Sequence, residues 1–218
     1  MLEQDVEDIL ILDGHGPGGI VFEDLHPFAK LLHGRPTASR KIRDEIVKTY
    51  DIFIMIGQHA MEGTLTGNLN HTQSSKAYDY YKLNGKYIGE IAQFALYNGA
   101  LGLPLIFLSG DDAACKEAEE LIPGITTTSV KKGLSRNSAI SCSATEARRR
   151  IREGIQKAIK NHNQNPIKPL LWKGPYILEK RFVHTDLADS ASKCHGAERI
   201  DSKTVRFHSD NIMEILYR

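Results

Sequence analysis

A chain of 218 residues with 41% hydrophobic content can bury one sizeable core, or two small lobes that share one chain. Its 28 Lys and Arg against 27 Asp and Glu leave a net charge of +1, which gives no electrostatic footprint for nucleic acid or an anionic membrane and points to a small-molecule partner. No apolar run approaches the roughly 18 residues of a spanning helix, and the acidic start MLEQDVEDI lacks the basic stretch of a secretory signal, so a cytoplasmic location is expected.

The elements alternate between strand and helix. Ile9 to Leu12 is a short apolar run that enters the turn DGHGPGG and reads as a buried strand. Residues 39 to 50 follow as a helix with Ile42, Ile46 and Val47 on one face, and DIFIMIG at 51 to 57 is a second strand running into QHAMEGT. Asn84-Gly85, set between aromatic and aliphatic residues, signals a hairpin. An apolar helix over Ile88 to Leu101 begins around Glu90, a third buried strand spans Leu103 to Leu108, and an acidic helix ends at Pro123-Gly124. Thr126 to Lys131 is β-branched enough for a fourth strand. Ser143 with Glu146 forms a capping box for a helix that runs to about Asn161 and carries a basic, solvated face.

The polar, proline-bearing segment NHNQNPIKP sets a boundary near residue 163. The expected fold is α/β, a mainly parallel sheet with helices on both faces over residues 1–162, plus a smaller C-terminal α+β lobe over 163–218. In that lobe, strands are expected at Tyr176 to Val183 and Thr204 to His208, with a short helix from Asn211. The thiols of Cys115, Cys142 and Cys194 are widely spaced and form no C-x-x-C pair, so they read as reduced side chains rather than zinc ligands.

In parallel sheets with right-handed crossovers, ligands sit beyond the carboxyl ends of the strands. His15, His59 and Asp111 are all expected there, and Glu90 in a first helical turn would complete a His₂Glu set of the kind zinc prefers. Each residue taken alone has a plainer role, the histidines in local hydrogen bonds and the glutamate beside a helix dipole. DGHGPGG could instead cradle a phosphate, although it matches G-x-G-x-G-G and Glu23, Asp24 and Pro27 interrupt any helix directly behind it. Asp111 and Asp112 are expected to cap the following helix.

Taken together, DGHG, GQHAMEGT with LNHT, and LNGKYIGEIAQFALYNGALGLPLIFLSGDDAACKEAEELIPGITTTSVKKGLSR resemble the zinc-dependent D-aminopeptidases encoded with dipeptide transport genes. The likeness spans about residues 8 to 160. It implies a two-lobed α/β fold, zinc (two ions per chain in the family) and removal of N-terminal D-amino acids from short peptides. By motif, it makes His15, His59 and Glu90 metal ligands and His71 the catalytic histidine. It also implies a homo-oligomer, a ring-shaped decamer that encloses the active sites. The family opens with an Asp-x-Glu-Gly motif that brings two further metal carboxylates, and nothing in this sequence matches it, so the expectation is either that a natural N-terminal segment is missing from this chain or that the protein has lost the first βα unit and with it part of the dinuclear site. The expected activity is therefore a metal-dependent aminopeptidase of D-Ala type. The alternatives are a silent relative that binds peptide or a single metal, and a nucleotide binder at the glycine-rich turn. In the aminopeptidase reading Asn68 and Asn70 are either oxyanion donors or turn residues.

Overall fold

The computed structural model describes residues 6–14, 19–34 and 36–218, which fall into two compact units, one up to Thr49 and one from Tyr50 onward. In the first, β1 (Ile9–Leu12) pairs in parallel with β2 (Ala29–Leu32), Ile9 opposite Ala29, and α1 spans Arg40–Val47. An ion pair of 2.8 Å joins Lys30 on β2 to Asp8 at the foot of β1. The strand expected at 9–12 is thus present, but its partner β2 was not anticipated. AKLL is only four residues long and follows a His-Pro turn, too short for a periodic signal.

The second unit holds two sheets. One has the order β3-β6-β7-β8, from β3 (Phe53–Gln58), β6 (Leu105–Asp111), β7 (Thr126–Ser135) and β8 (Ser138–Ser141). Its first three strands are parallel and β8 returns antiparallel. Helices α3 (Asp112–Leu121) and α4 (Ala144–Gln164) cover it. Alternation along β7 places them on opposite faces: the Thr127 hydroxyl donates to Glu119 of α3, whereas Thr126 accepts from Asn161 of α4. This is the expected α/β layering. Every residue of β6 is buried, as a central parallel strand covered on both sides requires.

The other sheet is antiparallel, with the order β10-β11-β9-β4-β5. β4 (Tyr78–Leu83) and β5 (Lys86–Tyr87) form the hairpin expected at Asn84-Gly85, whose φ values of 49° and 78° suit a two-residue turn. β9 (Tyr176–Phe182) and β11 (Thr204–Ser209) match the expected strands, and β10 (Glu198–Arg199) is added at the edge. The boundary expected near residue 163 falls at the end of α4. The small sheet that follows it is completed by β4 and β5 from the earlier part of the chain.

Helix α2 (Glu90–Ala100) is the wedge between the two sheets. Ile91 and Ala95, one turn apart, enter the cluster of Leu105, Leu108, Ala114 and Ala118. Ala92 and Leu96, on the adjoining stripe, enter the cluster of Leu83, Leu178, Val205 and Phe207, which α5 (Thr185–Ala191) and α6 (Ile212–Ile215) close. A helix apolar around most of its circumference must be buried, and this one is. At the β6 face α4 approaches so closely that a Cβ on Gly154 would meet the Thr128 hydroxyl and the Phe107 ring. Gly154→Val should therefore cost about 1–3 kcal/mol of stability. The check is a lower urea midpoint with an unchanged m value.

Candidate functional site

The parallel strands deliver their carboxyl ends to one edge, where His59 follows the last residue of β3 and Asp111 is the last residue of β6. From there the loop of residues 59–77 runs out to His71 and returns to β4. Glu90 is the first residue of α2, capped by Gly89, so its carboxylate also complements the partial positive charge of the helix N-terminus.

These three side chains converge. The Nε2 atoms of His59 and His71 each lie 3.6 Å from Oε1 of Glu90. The two imidazoles stack with centroids 3.8 Å apart and planes inclined by 23°. Each Nδ1 is directed at a backbone carbonyl, that of Ala60 at 3.0 Å for His59 and that of Leu69 at 2.8 Å for His71. An Nδ1–H donated to a carbonyl leaves the lone pair on Nε2, so both rings are set to present a basic nitrogen to the same point. Burial is the main cause that lowers the pKa of His59, and the neighbouring His71 adds to it; the Ala60 carbonyl, Glu90 and Asp111 pull the other way.

The donor set fits a divalent cation. One nitrogen from each imidazole and one oxygen from Glu90 lie within 4.8 Å of one another. Ligands of a tetrahedral zinc at about 2.0–2.1 Å stand about 3.3 Å apart, close to the spacings seen. Glu90 Oε1 is itself oriented by the backbone N–H of Gln73 at 2.8 Å, a residue with φ of +63°.

Buried groups hold the loop in place. Asp111, 1% exposed, accepts from the backbone N–H of Asn68 at 2.5 Å and from that of Ala114 at 2.8 Å, so one carboxyl pins the loop and caps α3. The Asn70 amide is committed to the carbonyls of Thr64 and Gly67, and that of Asn68 reaches the Arg136 carbonyl at 3.3 Å. Both asparagines are therefore loop fasteners, the turn role that the sequence left open. Asp112 holds the backbone of Gly133 on β7.

Of the sequence-derived ligands, the structure brings His59 and Glu90 together and adds His71 to the same cluster. His15, and the DGHGPGG turn from His15 to Gly18, lie outside the described residues. Two contributors were missed. Gln73 gave no signal, being one polar residue in a polar loop. Glu117 did give one: it falls three residues after Ala114 and one before Ala118, on the buried face of α3. Its Oε2 accepts from the backbone N–H of Met61 at 2.8 Å, and a Cβ on Gly89 would lie 2.7 Å from its other oxygen. It therefore holds the backbone beside His59, while its other oxygen, which has no hydrogen-bond partner among the described residues, packs close to Gly89 beside Glu90.

An α/β protein that gathers two imidazoles and a carboxylate beyond the ends of parallel strands belongs to the class able to hold a cation at a sheet edge. The chain is a member of the D-aminopeptidase family, which it matches over residues 1–218. A D-aminopeptidase of Bacillus subtilis strain 168 is 30% identical over 211 residues, covering 95% of this chain and 74% of that one. The solved structure of the Zn-dependent D-aminopeptidase DppA from Bacillus subtilis, described as a self-compartmentalizing protease, is 27% identical. It superposes with a TM-score of 0.88 over 99% of this chain and 78% of DppA.

Burial raises the Glu117 carboxyl from its ordinary 4.5 to about 7. Between those two values the folded protein keeps a proton that the unfolded chain gives up. Stability from this group is thus greatest at acid pH and falls as the pH rises from 4.5 towards 7. Glu117→Gln, which keeps an acceptor for Met61, should remove up to roughly 3 kcal/mol of that pH dependence. Urea melts of chelator-treated protein across this range provide the measurement.

Proposed function

We propose that this chain is a zinc-dependent aminopeptidase that releases N-terminal D-amino acids, D-alanine above all, from short peptides. The observation that carries the reading is the convergence of His59 and His71 through their Nε2 atoms on one oxygen of Glu90, in a member of the D-aminopeptidase family. The Zn-dependent neighbour supports zinc as the cation. His59 and Glu90 would hold it, with His15 as a further ligand carried over from the family motif.

When bound, zinc makes a water more acidic and polarises the scissile carbonyl. The chain's own groups do the rest. His71, whose Nδ1 faces the Leu69 carbonyl and whose Nε2 lies 3.6 Å from Glu90 Oε1, would take the proton of the attacking water. It then returns that proton to the leaving amine as the peptide bond breaks, so the products are a free D-amino acid and the shortened peptide or amino acid. Gln73 fixes the Glu90 carboxylate, and the Asp111-anchored loop holds His71 against drift. Geometry supplied in this way is what makes a general base effective.

By the same likeness, the chain is proposed to assemble into a homo-oligomeric ring that admits small peptides; the cytoplasmic location expected from the sequence is proposed separately. Among the described residues no helix is long and apolar enough to cross a membrane. The second reading is a silent relative that binds peptide or a single metal without turnover.

Hydrolysis of D-Ala-D-Ala by the purified protein, lost on chelation and restored by zinc, is the expected result; absence of turnover with zinc bound would establish the silent relative. The roles of the two histidines separate in a second measurement. His59→Ala should lose zinc and activity together. His71→Ala should keep its zinc yet lose about 10²–10⁴-fold in kcat, the contribution usual for general acid–base catalysis. Loss of zinc from His71→Ala would make His71 a ligand instead.

A further inference from the structure

One side chain of α2 does not fit an apolar helix. Gln93, one turn beyond Glu90 on the same side of α2, is 0% exposed. Its Oε1 accepts a hydrogen bond of 2.7 Å from the side-chain amide of Gln73, while its own Nε2 has no hydrogen-bond partner among the described residues. A buried donor left unmade is a cost that an apolar side chain of the same shape would avoid. Core packing therefore does not account for an amide here. What distinguishes Gln93 from a methionine or leucine in the same place is its bond to Gln73.

Gln73 has a φ of +63°, the left-handed region that a residue with a Cβ enters at a cost. Such a conformation persists where the surrounding contacts over-determine it. Two contacts do so. The backbone N–H donates to Oε1 of Glu90 at 2.8 Å, and the side chain donates to Gln93. Gln73 thus grips both ends of one turn of α2, and the connections close into a ring that runs from Glu90 along the helix to Gln93 and back through Gln73. The oxygen it holds is the one that Nε2 of His59 and Nε2 of His71 each approach at 3.6 Å. A carboxylate oxygen has two lone pairs, so one can take the N–H while the other stays available to a cation.

We propose that Gln93 is a positioning residue of the cation site: by holding the Gln73 side chain it keeps the backbone of residue 73 in its left-handed conformation, and so fixes the Glu90 oxygen that faces the two histidines. The inference rests on the zinc reading of that cluster. Without the Gln93 amide, residue 73 is free to relax to negative φ, its N–H leaves Glu90, and the carboxylate turns about its broad terminal torsion. Removing a hydrogen bond that orients a metal ligand weakens metal binding by about 10–100-fold.

The test is the zinc affinity of the full chain, measured by competition with a chromophoric chelator, for the wild type, Gln93→Met, Gln73→Met and the double variant. Gln73→Met keeps the backbone N–H and deletes only the side-chain donor. Each single variant should bind zinc about tenfold more weakly than the wild type. The double variant should also be about tenfold weaker rather than about a hundredfold, because both changes break the same interaction. The urea midpoint of zinc-free Gln93→Met should stay at or above that of the wild type, since the change removes an unpaired buried donor. Wild-type affinity in Gln93→Met, with or without a lower midpoint, overturns the inference and leaves Gln93 a core residue only. Losses that multiply in the double variant overturn it as well. Gln73 is exposed, so Gln73→Met keeps the test decisive where Gln93→Met does not fold, and undiminished affinity there is equally fatal. A wild type that binds no zinc, or a His59→Ala variant that binds it as tightly, removes the zinc reading and the inference with it. The two failures are therefore distinguishable.

Discussion

Asp111 is the constraint on which the site depends. It ends the central, fully buried strand β6 and accepts from two backbone amides that belong to different parts of the chain. One is in the first turn of α3; the other is Asn68, in the loop that carries His71. Charge-assisted bonds from a buried carboxyl are stronger than neutral ones, and losing the carboxyl would leave two amide donors without acceptors. A long loop is thereby attached to a fully buried central strand. The Asn70 amide fastens the loop to itself at Gly67, and the contact of Leu69 N–H with the Arg136 carbonyl extends the attachment to the β7–β8 hairpin.

Glu90 reaches the site by a different route. It stands at the N-terminus of α2, whose two adjoining apolar stripes enter both core clusters, so the helix cannot slide or turn without opening one of them. Glu117 joins the two routes, holding the backbone of Met61 beside His59 while packing against Gly89 beside Glu90. The histidines are then fixed by their own Nδ1 contacts with the adjacent backbone. In this arrangement each donor is positioned by main chain on one side and by packing on the other, which suits a cluster whose spacing decides what it can bind.

The antiparallel sheet gathers residues that are distant in sequence. β4 leaves the site loop directly, and pairing with β9 brings Lys180 beside Tyr81 in the wall of a cavity that Gln73 also lines. A fold that joins residues 78–87 to residues 176–209 in one sheet therefore places groups from distant parts of the sequence around a single pocket.

The sequence by itself determined the elements and the family. Short isoleucine-rich runs, the Asn84-Gly85 turn and the capping residue Ser143 are local signals, and local physics was sufficient for β3, the β4–β5 hairpin, β6, α2, α4 and β9. The motifs at His59, His71 and Glu90 were legible for the same reason, since each sits at a strand or helix end or in a marked loop. What only the tertiary structure decided was non-local: the pairing of β1 with β2, the joining of β4 to β9, and the meeting of His71 with His59 and Glu90. A lysine on β9 looks like any solvent-facing charge until the strand's inward face is known, and a glutamate among several on α3 looks equally ordinary. Burial and partners depend on which surfaces meet, and a single sequence does not carry that information in its spacing.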